Sequence, residues 1–193
     1  MGNKSVQKKK YIVEKAREVF SKNGYRKVTM KDIVEACDIS RGGLYLYFAD
    51  TKSLFEAVLE EDEKDKDIFD AIKNAELTPG EALLSYLDAQ KKAILKKDSL
   101  AAANFEYLFE QRESKSEANA KVACEESIKG VEKLIADGVA EEWMVCDNPA
   151  ISARNIIYAL NGLRVTSQTV GITEAEIDEE IEYILGTLGL VVE

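Results

Sequence analysis

Two of the 193 residues are proline, and each directly follows a residue of helix-capping type, as Thr78-Pro79 and Asn148-Pro149. Proline is tolerated in the first turn of a helix and breaks its interior, so this placement marks two helix starts and leaves the rest of the chain free to run in long helices. No run of period two, no internal repeat and no low-complexity tract interrupts that reading. With 46% hydrophobic residues the chain can build a sizeable core, and with eleven glycines it is poorly suited to a turn-rich sandwich or barrel. The expectation is an all-α protein of about nine helices.

Near the start, Ile12, Val13, Ala16, Val19 and Phe20 form one helical face, and Gly24 follows where a left-handed cap is wanted. Thr29 with Asp32 reads as a capping box for a second helix of about two turns, with Ile33, Val34 and Cys37 as its apolar stripe. Asp38 tolerates the left-handed turn that follows, Ile39 is available to plug the gap between helices, and Ser40 caps a third helix. There Leu44 and Phe48 share the inner face, while Arg41, Gly42, Tyr45 and Leu46 turn elsewhere. Asp50 caps a fourth helix, whose Leu54, Phe55, Val58 and Leu59 return to the same core. Residues 60–67, EEDEKDKD, contain no apolar residue and read as a solvated connecting helix. Beyond it, starts at Thr78, Asp98-Ser99, Ser114, Asn148 and Thr173 predict helices near 79–96, 99–112, 116–140, 149–168 and 174–189.

The formal charge of −10 speaks against attraction of the whole chain to nucleic acid or to an anionic membrane, but the sum hides a division. Residues 1–53 hold 12 Lys plus Arg against 6 Asp plus Glu, and residues 54–193 hold 14 against 30. A segment of +6 followed by one of −16 points to different partners for the two parts, the first suited to a polyanion.

Other classes are disfavoured by what the chain lacks. With no histidine there is no imidazole for general base work or for nitrogen ligation, so histidine triads and zincin sites are excluded and no metal or cofactor is expected. Cys37, Cys124 and Cys146 are too dispersed for a CxxC site and read as core thiols of a reducing compartment. No stretch is apolar enough for a membrane span, and the start MGNKSVQKKK has no signal-peptide core. Val6 stands where a myristoylation signal after Gly2 needs Ser or Thr. The expected setting is cytoplasmic.

A short helix, a tight turn and a second short helix inside a basic three-helix unit is the arrangement that puts a helix into the DNA major groove. The residues TMKDIVEACDISRGGLYLYFADTKSLF, positions 29–55, resemble the N-terminal signature of the TetR family of bacterial transcriptional regulators. Cys37-Asp38 stands where that family commonly has Ala-Gly. The resemblance implies a helix-turn-helix DNA-binding domain over residues 1–53 and a helical effector-binding and dimerisation domain over residues 54–193. It also implies double-stranded operator DNA, a small-molecule effector and a second copy of the chain as partners, with no catalytic residues.

The side chains fit such a role. Arg41 presents a planar fork suited to guanine O6 and N7. Gly42 and Gly43 would each cost up to about 1 kcal/mol against alanine inside a helix, which either marks a merely tolerated weak helix start or keeps the backbone bare for close approach. Tyr45 suits a thymine methyl or a phosphate. Tyr47 and Lys52 match the family's phosphate-binding tyrosine and lysine. Thr29 and Ser40 cap helices, which already explains their type, and the N–H groups they flank suit phosphates. Lys4, Lys8, Lys9 and Lys10 read either as a flexible arm that reaches neighbouring phosphates or as simply a solvated tail.

For the C-terminal part, Ile177, Ile181, Ile184 and Leu188 form one stripe and Ile156, Leu160 and Leu163 another, expected at a two-fold interface although burial within one subunit explains them equally. The segment ALNGLRV, residues 159–165, resembles the family's penultimate helix, with Asn161 in place of its usual aspartate. Gly162 and Gly186 would permit close helix approach. Phe105, Tyr107 and Trp143 are candidates to line an effector cavity, against the commoner case of aromatics as ordinary core. An enzyme built on the acidic helices would need a constellation of carboxylates or lysines that no spaced motif supplies, and a protein-interaction adaptor would keep the fold without the DNA contacts.

Overall fold

The structure is a computed structural model. It describes the backbone of residues 2–63, 68–111 and 115–190 and the side chains of 4–61, 68–111 and 118–190. Ten helices, and no strand, are found among the described residues. They are α1 (Gly2–Asn23), α2 (Met30–Cys37), α3 (Arg41–Tyr45), α4 (Thr51–Glu63), α5 (Ile68–Lys73), α6 (Pro79–Leu95), α7 (Ala101–Glu110), α8 (Lys115–Ala140), α9 (Pro149–Thr169) and α10 (Glu174–Thr187). The expected all-α class is therefore the observed one. Part of the expected connecting helix, residues 64–67, and the proposed start at Ser114 lie outside the described residues.

The helices begin where the capping chemistry says they should. Thr29 and Asp32, Thr78 and Glu81, and Thr173 and Glu176 each form a reciprocal capping box, in which the threonine hydroxyl accepts from the third N–H and the carboxylate accepts from the threonine N–H. Asn148 caps α9 by accepting from the Ile151 N–H at 3.1 Å. Gly24 ends α1 at φ +80, its N–H donating to the Phe20 carbonyl at 2.9 Å. Asp38 adopts the left-handed conformation after α2 (φ 50, ψ 49), as its side chain permits.

The chain packs as two compact units. The first comprises residues 1–67 and 97–112, so it holds α1–α4 and also α7. Its core joins Ile12, Ala16 and Phe20 of α1, Ile33 and Cys37 of α2, Leu44 of α3 and Leu54, Phe55 and Val58 of α4 to Ala103 and Tyr107 of α7. Phe20, Tyr25, Phe55 and Tyr107 form an aromatic cluster with neighbouring centroids 4.7–5.1 Å apart. The Tyr107 hydroxyl donates to Glu56 at 2.6 Å, and Glu106 accepts from the Arg26 N–H at 2.9 Å. The division of packing is thus not the division expected at residue 53, because α4 and α7 share the core of the N-terminal helices.

The second unit comprises residues 68–96 and 113–193. Here α6 packs against α5, α8, α9 and α10, and α8 lies along α9. Its core includes Leu83, Tyr86 and Leu87 of α6, Val131 and Ile135 of α8, Ile156, Ile157 and Leu160 of α9, and Ile177 and Ile184 of α10 with Leu188 just after it. The short helix α5 is an addition to the expected set. Cys37 is buried, Cys124 and Cys146 are partly so, and all three are free thiols.

Candidate nucleic-acid interface

A five-residue helix cannot hold itself together, since nucleation outweighs the few hydrogen bonds it makes. The helix α3 is held from both ends and from below. Ser40 accepts from the Gly43 N–H at 3.1 Å, while Leu44 and Phe48 are sunk in the core of the first unit. The N–H groups of Leu46, Tyr47 and Phe48 close the next turn onto the carbonyls of Gly42 and Leu44. With one face committed, Arg41, Gly42, Tyr45 and Leu46 point outward, and Leu46 is 83% exposed. The Arg41 guanidinium stands 5.9 Å from the Tyr45 ring centroid, so cation and ring share one surface.

Gly42 and Gly43 differ. A Cβ at Gly43 would lie 3.1 Å from Ser40 Oγ, so this glycine keeps room for the cap of its own helix. A Cβ at Gly42 would meet nothing within 4 Å. No contact among the described residues explains that glycine.

Around α3 stand the remaining expected contacts. Thr29 and Ser40 are exposed at their caps, Tyr47 and Lys52 are half-buried, and the Ser5 hydroxyl is 3.5 Å from that of Tyr47. The lysines expected on a loose arm are instead part of α1, which starts at Gly2. Lys9 lies 5.5 Å from the Phe48 ring centroid, and Lys8 Nζ would be 3.9 Å from a Cβ at Gly43. Sequence reading missed this because a lysine-rich stretch without an apolar stripe carries no helical period. Hydrogen bonds hold two cap carboxylates below the usual range: Asp32 through the hydroxyl and N–H of Thr29, and Asp50 through the N–H and hydroxyl of Ser53.

Residues 12–58 match the family described as bacterial regulatory proteins, tetR family. An HTH-type transcriptional regulator of Bacillus subtilis, YfiR, is 38% identical over 99 residues, covering 50% of this chain and 48% of its own. Residues 12–58 thus form a TetR-family N-terminal domain. Two further relatives match over shorter stretches. UidR of Escherichia coli is 40% identical over 53 residues, 28% of this chain and 27% of its own, and the repressor AcnR of Corynebacterium efficiens is 38% identical over 61 residues, 32% of each. The alignments thus span about half the length of the first of these relatives and about a quarter to a third of the others. A TetR transcription regulator from Haloarcula marismortui has the same fold, with TM-score 0.80 at 16% identity over 97% of this chain and 100% of its own. The MbdR regulator of Azoarcus gives 0.72 at 22% identity over 96% and 100%.

The other expected residues fall elsewhere. Tyr107 is fully buried in the first unit with its hydroxyl committed to Glu56, which makes it a core residue there, and Phe105 is half-buried on the same helix. Trp143 belongs to the second unit, half exposed after α8, with a ring carbon 3.7 Å from where a Cβ on Gly80 would be. Phe105 and Tyr107 thus fall in the first unit and Trp143 in the second.

The residues expected at a dimer interface pack within the single chain. Ile156, Leu160, Ile177, Ile184 and Leu188 are buried within the single chain, and Leu163 and Ile181 pack partly against the same core. A helical stripe identifies a buried face without saying who buries it. The faces that α9 and α10 leave outward carry Ile151, Tyr158, Gly162 and Val165, and Tyr183 and Gly186. No group of three potential metal-binding side chains is found, and no helix is long and apolar enough to cross a membrane, among the described residues.

Proposed function

We propose that this chain is a cytoplasmic transcriptional regulator that binds a pseudo-palindromic operator in double-stranded DNA as a dimer, represses transcription and is released by a small-molecule effector. The observation that carries the reading is α3: a helix too short to be stable alone, anchored by Leu44 and Phe48, with Arg41, Gly42 and Tyr45 turned to solvent. The naming of the Corynebacterium relative as a repressor supports the sign of the regulation. In this reading Arg41 reads base edges, Tyr45 touches a base or phosphate, and Thr29, Ser40, Gly43, Tyr47 and Lys52 set the helix on the backbone. A gel-shift titration against the upstream region of the chain's own gene tests it. Arg41→Ala is expected to cost about 1–3 kcal/mol with relaxed base preference, and Lys52→Ala to weaken all sequences alike and lower the salt slope by about one. Identical behaviour of the two variants overturns the assignment, and the lack of any sequence-specific complex favours an adaptor.

A pseudo-palindromic site calls for a two-fold protein. The residues available to a second copy are Ile151, Tyr158 and Val165, spaced by seven along α9 with Gly162 beside them, together with Tyr183 and Gly186 on α10. A Cβ at either glycine would meet nothing within 4 Å in its own chain, which supports a close approach by another. Tyr158→Glu should give monomers in sedimentation with unchanged helix content, and an intact dimer would overturn this face.

Release follows if the effector binds better to a dimer whose recognition helices are wrongly spaced. A coupling of about 3 kcal/mol weakens operator binding by about 150-fold. Besides α4, the lever expected from the sequence, α7 is placed to carry the change: it packs with the first unit, and the chain on both sides of it belongs to the second. Phe105 and Tyr107 then serve transmission, and of the three aromatic candidates Trp143 is the one retained for the effector.

A further inference from the structure

The second unit contains a cation whose described surroundings do not match its charge. Arg164 of α9 is half-buried, and its guanidinium donates to two neutral oxygens, Asn161 Oδ1 at 2.9 Å and Gln90 Oε1 of α6 at 2.5 Å. No carboxylate pairs with it among the described residues, and burial lowers its pKa from the ordinary arginine value. By contrast Lys91, the neighbour of Gln90, holds both Glu174 and Asp178 at 2.8 and 2.6 Å. The unit has carboxylates in surplus, and none of the described ones lies on Arg164.

One helical turn before Gln90 on the same helix is Tyr86, only 3% exposed. Its hydroxyl has no hydrogen-bond partner among the described residues, and it is close enough to Arg164 to feel its charge. Burial pushes its pKa up to about 12, so near neutral pH it is a phenol with a proton to donate. Phe69 of α5 stacks on its ring at 5.0 Å, which supplies an apolar wall. A cationic donor and a phenol with a free O–H therefore lie close together on α6 and α9, with three of the five guanidinium N–H groups unused among the described residues.

From this we infer that Arg164 and Tyr86 form a binding site for an organic carboxylate, with the guanidinium and phenol on its oxygens and the Phe69–Tyr86 stack against its apolar body. A single positive charge suits a monoanion, and the planar fork suits a carboxylate. Asn161 and Gln90 orient the fork without neutralising it. This deepens the proposed effector binding and rests on that reading for its regulatory meaning.

The test is calorimetric titration of the full-length protein with acetate, benzoate and octanoate, each against its matched amide. Saturable binding of a carboxylate, at least about tenfold tighter than its amide, is expected, since hydrogen bonds to a charged group carry that much discrimination. Arg164→Gln should lose at least about tenfold, and Tyr86→Phe a few-fold. Asn161→Asp is nearly isosteric and supplies the missing counter-charge, so it should raise the melting temperature of the free protein and lower carboxylate affinity at least about tenfold. That readout separates a ligand site from a structural clamp even if Arg164→Gln fails to fold. Equal binding of acids and amides, no binding of any of the three acids, or unchanged affinity in Asn161→Asp overturns the site. Gel shifts with the same compounds are independent: Arg164-dependent binding with no effect on the operator complex leaves the carboxylate site standing and overturns effector release.

Discussion

The two units handle exposed side chains in opposite ways. In the first, the outward residues of the candidate interface, Arg41, Gly42, Tyr45 and Leu46, lie on and just after the shortest helix of the unit, held in place by Leu44 and Phe48. In the second, the outward apolar residues Ile151, Tyr158 and Val165 lie along a 21-residue helix whose other face is already buried. A short helix anchored from below can have its outer face chosen for a charged partner. A long helix with an apolar outer face is suited to a partner that resembles its own interior. The segment matched by the family, residues 12–58, lies wholly in the first unit.

The largest expected effect tests whether α7 belongs to the first unit. Tyr107→Ala removes a fully buried ring from the aromatic cluster together with its hydrogen bond to Glu56, so it should cost about 3–5 kcal/mol in urea denaturation and abolish operator binding with it. A loss confined to the second unit would break the comparison. Next come the paired caps: Thr29→Ala and Thr78→Ala remove the same capping geometry from the two units and should each cost about 1 kcal/mol. Operator affinity should then fall further in Thr29→Ala than the stability loss explains, and not in Thr78→Ala. A smaller effect of opposite sign is expected of Gly42→Ala, which meets no atom of its own chain and should stabilise the fold by up to about 1 kcal/mol while weakening DNA binding. If affinity is unchanged, no backbone approach occurs there.

The acid limb should be shared by the two units. Asp32 and Asp50 in the first, and Glu81 and Glu176 in the second, are held below the usual carboxylate range by hydrogen bonds to their capped segments. A lowered native pKa means that the unfolded chain binds the proton first. The stabilisation is therefore present above the ordinary range near pH 4 and is lost as pH falls through the lowered native values. Asp32→Asn should flatten that limb in the melting temperature measured against pH.

Helix positions could be read from the sequence because they are written in local chemistry. The boxes at Thr29, Thr78 and Thr173 and the prolines after Thr78 and Asn148 mark starts that need no tertiary information. The outward face of α3 followed from the same source, since Leu44 and Phe48 fix which side is in. What the sequence left open was the ownership of buried faces. The stripe from Ile177 to Leu188 predicts burial, and only the packing of α10 against α6 assigns it to the same chain. Tyr107 raised the same difficulty, because an aromatic on an amphipathic helix fits a cavity wall and a core equally. Arg164 gave no signal at all, because a missing counter-charge is a property of neighbours distant in sequence.

The central claim is that α3 of each of two copies enters the major groove of one operator. Hydroxyl-radical footprinting of the upstream region of the gene tests it most directly. The account predicts two protected half-sites on one face of the duplex, centred a whole number of helical turns of about 34–36 Å apart, fading with salt and lost in Arg41→Ala. A single protected patch, or protection that survives Arg41→Ala unchanged, would contradict it.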